Sequence, residues 1–282
     1  MHISIDGFDI GQFVAATLAE DLGPDACDVT SQSVIPADAH FTGVMDARHD
    51  LVVAGLPLAE AFFRALDPGC KVDLLAGEGQ SVAGGTDILR VSGKARALLT
   101  AERSALNTVQ HLSGIASLTR QYVDAIAGTG AVLLDTRKTI PGMRLLEKYA
   151  TRMGGGQNHR MGLWDAAMIK DNHVAVAGDI GEAVRRAVLA GIEKIIVEVD
   201  HVEQIEPALA AGATHLLLDN MAPATLRGAV TLVGGRVPCE ASGGVTLETI
   251  RAIAETGVNY ISVGRITQSA PAADVGLDFM AG

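Results

Sequence analysis

Seven lysines and arginines fall between residues 137 and 170: Arg137, Lys138, Arg144, Lys148, Arg152, Arg160 and Lys170. Only Glu147 and Asp165 oppose them there, in a chain whose formal net charge is −11. A cationic island in an acidic protein points to an anionic ligand. Arg144, Lys148 and Arg152 stand at i, i+4 and i+8, which reads as one solvent-facing helical stripe. Arg137, Lys138 and Lys170 do not fit that stripe. They lie at or just beyond the ends of the apolar runs "AVLLD" and "AAMIK", where strands end. Between them, "MGGGQNHRMG" sets three glycines ahead of Asn158, His159 and Arg160. Glycine lets backbone approach a ligand closely, and a guanidinium recognises a planar carboxylate through two parallel hydrogen bonds.

The acids are placed similarly. Glu198 is the penultimate residue of the run "IIVEV" and Asp219 the last of "HLLLD", one β-α unit apart. They could pair with the cations above or hold Mg²⁺, which typically takes one or two protein carboxylates plus phosphate oxygens. "EASGGV" (240–245) and "SVGR" (262–265) put Ser242, Gly243, Gly244 and Gly264 at the last two strand ends. The first of these glycine turns precedes a helical segment, and helix N-termini offer free N–H groups to phosphate. Taken together, these residues call for an aromatic or small polycarboxylate and a phosphorylated sugar with Mg²⁺. No nucleophile or general-base motif occurs. Transfer through a cation-like sugar transition state needs none, since positioning and charge stabilisation can carry it.

Such groups converge only if the elements between them bring one set of strand ends together. Residues 8–20 have apolar positions at helical spacing. Residues 40–93 alternate short apolar runs with glycines around a helical "LPLAEAFFRAL", an α+β pattern. Residues 96–127 read as helical with a break at Ser113-Gly114. Six short apolar runs follow, at 131–135, 166–170, 195–199, 215–219, 237–241 and 260–264. Helical segments separate several of them, which predicts a parallel sheet. In a parallel barrel the reactive groups come from the C-terminal strand ends, and six contributing strands favour a rolled sheet over an open one. The expected fold is therefore α/β: an N-terminal α+β sandwich domain, residues 1–113, then an incomplete parallel barrel of six or seven strands, residues 114–267. The closing segment 268–282 is a candidate to rejoin the first domain.

The composition excludes other classes. Net charge −11 with 4% aromatic residues disfavours nucleic acid, which needs phosphate neutralisation and stacking surfaces. Cys27, Cys70 and Cys239 form no C-x-x-C and give no disulfide framework, so a reducing cytoplasm is expected. No run reaches the length of a membrane span, and the first residues lack a signal-peptide pattern. His2, His40, His49, His111, His201 and His215 have no partner at metal-ligand spacing and read as surface or satisfied core.

The stretch "DTRKTIPGMRLLEKYATRMGGGQNHRMGLWDAAMIKDNH" closely resembles the signature of the quinolinate phosphoribosyltransferase family. "EDLGPDACDVT", "LLTAERSALNTVQHLSGIA", "VEVD", "LLLDN", "EASGGV" and "GVNYISVG" match in the same order. The resemblance implies conversion of quinolinate and phosphoribosyl pyrophosphate to nicotinate mononucleotide, pyrophosphate and CO₂, with Mg²⁺. It implies a homodimer at least, in which Arg103 of "ERSALN" reaches the neighbouring subunit's quinolinate. Arg137, His159 and Arg160 would bind the ring carboxylates, and Lys138 and Lys170 would bridge toward the pyrophosphate. Glu198 and Asp219 would serve metal and ribose, and Ser242, Gly243, Gly244 and Gly264 the 5′-phosphate. One departure is that Arg265-Ile266-Thr267-Gln268 stands where the family often has small-hydrophobic-Thr-His. The other readings are an aldolase-type phosphosugar enzyme with a Schiff base on Lys170, a related branch tied to molybdenum transport, and a carboxylate-binding regulatory module.

Overall fold

The computed structural model describes Ile5 and residues 7–280, so the expectation for His2 lies outside the described residues. Two compact units result. The first runs through Arg120 and takes in Leu145–Gly155 and the chain from Ser269. The second comprises Gln121–Arg144 and Gly156–Gln268.

The first unit begins with α1 (Ile10–Leu22), capped by the Asp9 carboxylate, and α2 (Val29–Val34), capped by Asp28. β1 (His40–Ala47) and β2 (Leu51–Val52) lead to α3 (Leu56–Leu66). β3 (Lys71–Leu74), β4 (Ser81–Val82) and β5 (Asp87–Lys94) follow. β1 sits between β5 and the final strand, Val275–Phe279, and β3 pairs with the outer edge of β5; every pairing is antiparallel. On α3 the buried positions Leu56, Ala59, Phe62 and Phe63 recur at helical spacing. They join Met45, Ile88 and Leu89 of the sheet in one apolar core. The helix starts at Gly55, whose N–H and that of Leu56 both donate to the remote Glu78 carboxylate.

α4 spans Ala95–Ala125 without interruption. The break expected at Ser113-Gly114 does not occur. Ser113 Oγ takes the Ala54 N–H at 3.0 Å, and Gly114 lets the chain at Pro271–Ala273 approach the helix backbone. A methyl at Gly114 would overlap the Pro271 carbonyl oxygen and lie 3.0 Å from Ala272 Cα. Glycine here serves close packing within a helix that tolerates its lower propensity. Gly114→Ala is expected to destabilise the protein by about 2–3 kcal/mol through overpacking against backbone. A denaturant midpoint equal to the parent's would contradict this.

α5 (Arg144–Met153) corrects a second expectation. Lys148 is fully buried, as are Glu147 and Thr151, so 144, 148 and 152 form no exposed stripe. Leu146 through Thr151 are all buried, so this helix has no broad solvent face, and spacing alone could not reveal that. Arg152 is exposed and lies over the Tyr149 ring. Glu147 meets His111 Nε2 at 3.0 Å.

The second unit is a six-stranded parallel sheet of β6 (Val132–Leu134), β7 (Ala167–Ile169), β8 (Ile195–Val199), β9 (His215–Asp219), β10 (Cys239–Ser242) and β11 (Tyr260–Ser262). Its order is β6-β11-β10-β9-β8-β7. Consecutive strands β6 and β7 are thus the two edges, the order of a barrel left open between them. Gln157 bridges Leu134 and partly extends the β6 edge. Helices α6 (Asp171–Ala177), α7 (Ile180–Leu189), α8 (Ile205–Ala211), α9 (Pro223–Val233), α10 (Leu247–Ala254) and α11 (Arg265–Gln268) follow β7 to β11, α6 and α7 both coming after β7. Among the described residues no helix is long and apolar enough to cross a membrane.

Candidate active site

Strand register decides which side chains share a face, because neighbours in register point the same way and alternation has period two. Ile196 pairs with Met168 and His215, Glu198 with Leu217, Leu217 with Glu240, and Asp219 with Ser242. Ala166, Met168, Ile196 and Leu217 pack together as an apolar cluster on this face. Glu198, Asp219 and Ser242 therefore sit on the same face as that cluster, toward the C-terminal ends of their strands. Lys170 follows β7 directly, and its Nζ ion-pairs with Glu198 Oε2.

The cationic end is built on β6. Asp135, which follows it, is fully buried and holds the neighbouring segment: its carboxylate accepts Asn158 Nδ2 at 2.6 Å and His159 N–H at 2.8 Å. This fixes where His159 and Arg160 begin. Arg160 is buried, with one guanidinium nitrogen on the Ala166 carbonyl at 3.0 Å. Burial pushes its pKa down and the charge of nearby Arg137 pushes it further, against the pull of Asp165. Arg137 Nε is buried and has no hydrogen-bond partner among the described residues. A buried guanidinium within electrostatic reach of a half-buried one that has an unsatisfied N–H offers a site for an anion.

Arg144 is a staple for this end. Its Nε donates to Thr139 Oγ1 at 3.2 Å and another guanidinium nitrogen to the Met161 carbonyl at 3.2 Å. It thus ties the 136–142 loop to the 158–165 loop. Asp165 helps by accepting the Met161 and Gly162 N–H groups.

His159 Nδ1 accepts the Arg160 N–H at 2.6 Å, and its Nε2 lies 3.2 Å from Glu240 Oε2. His215 Nε2 lies 2.9 Å from the same oxygen, off the direction of a hydrogen bond, and its ring stacks on Tyr260. Glu240 is fully buried. Burial alone would raise its pKa, but His159 and His215 outweigh that and bring it down to about 2. Sequence reasoning had Glu240 only as a strand-end neighbour of Ser242 and His215 as surface or core. Their partnership lay on separate strands, and no local signal marks it.

The opposite end is glycine. Gly243 has φ +93° and Gly244 φ +60°, both in the left-handed region, immediately before α10. Asn220, itself at φ +53°, donates Nδ2 to Asp219 Oδ2 at 2.6 Å and its N–H to the Ser242 carbonyl. The 136–139 loop reaches this side too, since Thr267 Oγ1 donates to the Lys138 carbonyl at 2.8 Å. A methyl at Gly264 would lie 2.8 Å from Lys138 Cδ. Gly264→Ala is expected to displace the flexible Lys138 chain and lower turnover roughly tenfold, leaving the melting temperature nearly unchanged, as a flexible side chain yields at low cost. Unchanged steady-state kinetics would contradict a role for Lys138 at that position.

Arg265 and Gln268 are both exposed. Arg265 lies within electrostatic reach of Glu248, in the first turn of α10. Arg103 is exposed on α4 in the first unit, whereas the other candidate residues all belong to the second. Among the described residues no group of three or more His, Cys, Asp or Glu is arranged to hold a metal. A Mg²⁺ site does not need one. Glu198 and Asp219 are carboxylates on adjacent strands and one face, the donor type that ion takes.

Comparison with known proteins accounts for this arrangement across almost the whole chain. The quinolinate phosphoribosyl transferase N-terminal domain model matches residues 28–113 and the C-terminal domain model residues 115–278. The quinolinate phosphoribosyltransferase (decarboxylating) 1b of Nicotiana tabacum is 40% identical over 290 residues, covering 96% of this chain and 82% of that one. The nicotinate-nucleotide pyrophosphorylase of Francisella tularensis superposes with a TM-score of 0.92 at 37% identity, covering 99% of this chain and 100% of that one. The enzyme of the same name from Ehrlichia chaffeensis gives 0.93 at 37%, covering 97% and 100%. With the two domain models matching residues 28–113 and 115–278 and relatives this similar, the chain belongs to the quinolinate phosphoribosyltransferase family.

Proposed function

We propose that this protein transfers the phosphoribosyl group of phosphoribosyl pyrophosphate to quinolinate, releasing pyrophosphate and CO₂ and forming nicotinate mononucleotide for NAD synthesis. The observation that carries the reading is buried Arg160 near half-buried Arg137, on the sheet whose strand ends bear Lys170, Glu198 and Asp219. A pyridine dicarboxylate supplies the paired anions that such a site lacks. Arg137 and Arg160 receive the ring carboxylates, with His159 beside them, and Lys138 and Lys170 face the pyrophosphate. Ser242, Gly243, Gly244 and Gly264 cradle the 5′-phosphate. Glu198 and Asp219 are the residues that would hold Mg²⁺, whose charge offsets that of the leaving pyrophosphate.

The chemistry then follows from placement. The bond from ribose C1 to the pyrophosphate oxygen breaks with its electron pair leaving on oxygen. The pyridine nitrogen lone pair forms the new bond to C1. The ring, now cationic, accepts the electron pair of the C2–carboxyl bond as CO₂ departs, and C2 takes a proton. Holding the reactants in line and stabilising developing charge account for such a reaction without a covalent enzyme intermediate.

We further propose a homodimer in which Arg103 of one copy completes the dicarboxylate site of its partner, and a cytoplasmic location. The exposed position of Arg103 on α4 and three free cysteines support these assignments. The aldolase-type alternative needs a desolvated lysine. Lys170 has a side chain 42% exposed and its Nζ is paired with Glu198.

The test is to mix the protein with Mg²⁺, quinolinate and phosphoribosyl pyrophosphate and follow pyrophosphate and labelled CO₂. Equal amounts of both products are expected. Binding of quinolinate without either product would establish a binding module instead.

A further inference from the structure

The face that carries the site residues also holds the apolar cluster of Ala166, Met168, Ile196 and Leu217. A fully buried carboxylate beside that cluster is anomalous. Glu240 lies in register with Leu217 on one side and Tyr260 on the other, and it is fully buried. Removing a carboxylate from water costs several kcal/mol unless partners compensate, so an apolar residue would serve packing better. Glu240 has compensation from two imidazoles at one oxygen, with the Ser262 side chain also in reach. Only one of the two leads anywhere. From Glu240 Oε2 the path runs 3.2 Å to His159 Nε2, then from His159 Nδ1 2.6 Å to the Arg160 N–H. The Arg160 guanidinium is the one beside Arg137. His215, by contrast, ends in a stack on Tyr260.

The contacts also set the roles of the two nitrogens. Because Nδ1 accepts the Arg160 amide, Nε2 is the nitrogen that can donate to Glu240. A carboxylate behind a histidine selects tautomer and ring orientation in this way. Both ring nitrogens are engaged by protein groups. The contribution of this histidine to the ligand is thereby shifted from donating a hydrogen bond to holding Arg160 in place.

We propose that Glu240 is a positioning residue for the dicarboxylate: it orients the His159 imidazole and, through it, the Arg160 backbone that aims the guanidinium pair. This rests on the reading of quinolinate as substrate. His215 shares the buried carboxylate's charge and anchors it to β11, and takes no part in aiming.

The experiment is a kinetic split on the full-length protein. Glu240→Met keeps the volume and removes the acceptor. It is expected to raise the KM for quinolinate about tenfold, the scale of one misaligned charged hydrogen bond, while the KM for phosphoribosyl pyrophosphate moves less than about twofold. Glu240→Gln retains a carbonyl for the Nε2 hydrogen and is expected to restore most of the quinolinate KM. Combined with His159→Asn, Glu240→Met should add little to the single His159→Asn effect, since one acts through the other. Should Glu240→Met fail to fold, Glu240→Asp, one methylene shorter, carries the same expectation. Equal changes in both KM values, no rescue by Gln, or full additivity with His159→Asn would each overturn the proposal. Failure of the parent protein to turn over quinolinate would instead remove the substrate reading on which it rests.

Discussion

Arg160→Ala is expected to lower kcat/KM for quinolinate about 1,000-fold while leaving the protein folded. The size follows from two charge-assisted hydrogen bonds to one carboxylate, at roughly 2 kcal/mol each, or about three decades in rate. The stability expectation follows from the surroundings. Arg160 is buried and sits against the like charge of Arg137, and its side chain holds one carbonyl, that of Ala166. Removing it relieves repulsion as it deletes a hydrogen bond, so the melting temperature should move by only a few degrees. Arg160→Lys should recover little, because an ammonium is a point charge and cannot form the parallel pair. Turnover of quinolinate by Arg160→Ala within tenfold of the parent would remove the dicarboxylate from this pocket.

Gly243→Ala should nearly abolish use of phosphoribosyl pyrophosphate, with kcat/KM falling at least about 100-fold, as when a phosphate-cradling loop is displaced. Its methyl would overlap Asn220 Oδ1 and lie 2.9 Å from Asn220 N, at a φ of +93° that alanine rarely adopts. Asn220 cannot retreat freely, since it bonds both Asp219 and the Ser242 carbonyl. The substitution therefore disturbs the Gly243-Gly244 turn and the Asp219 carboxylate together. Gly244→Ala is the internal control. Nothing lies within 4 Å of a methyl there, so only the left-handed conformation is taxed, about 1 kcal/mol. Its effect should stay within about tenfold. Quinolinate binding measured by calorimetry should change less than about threefold in Gly243→Ala, the carboxylate end being built on other strands. Equal kinetics for the two alanine variants would show that the turn is not a phosphate site.

The strands were legible because short apolar runs of a parallel sheet carry their own signal, and glycines and charges mark where each one stops. The break at Ser113-Gly114 was misread for the same reason: a local rule treats glycine as punctuation. At Gly114 the missing side chain makes room for Pro271, over 150 residues away, and nothing near position 114 encodes that neighbour. Lys148 shows the same limit. Spacing places 144, 148 and 152 on one face, but whether that face meets water depends on what packs against it.

By itself, the order of residues determined the kinds of chemistry and their distribution. Cations cluster at 137–170, acids stand at or next to the run ends at 198 and 219, and glycine turns close the last two strands. Those are properties of single segments, set by residue type and local periodicity. Only the tertiary structure decided which of these meet. It set Lys170 on Glu198, brought Arg160 beside Arg137, and buried Glu240 against His159 and His215. Strand register and burial turn a list of charges into coupled groups, and both arise from pairings between segments far apart in the chain.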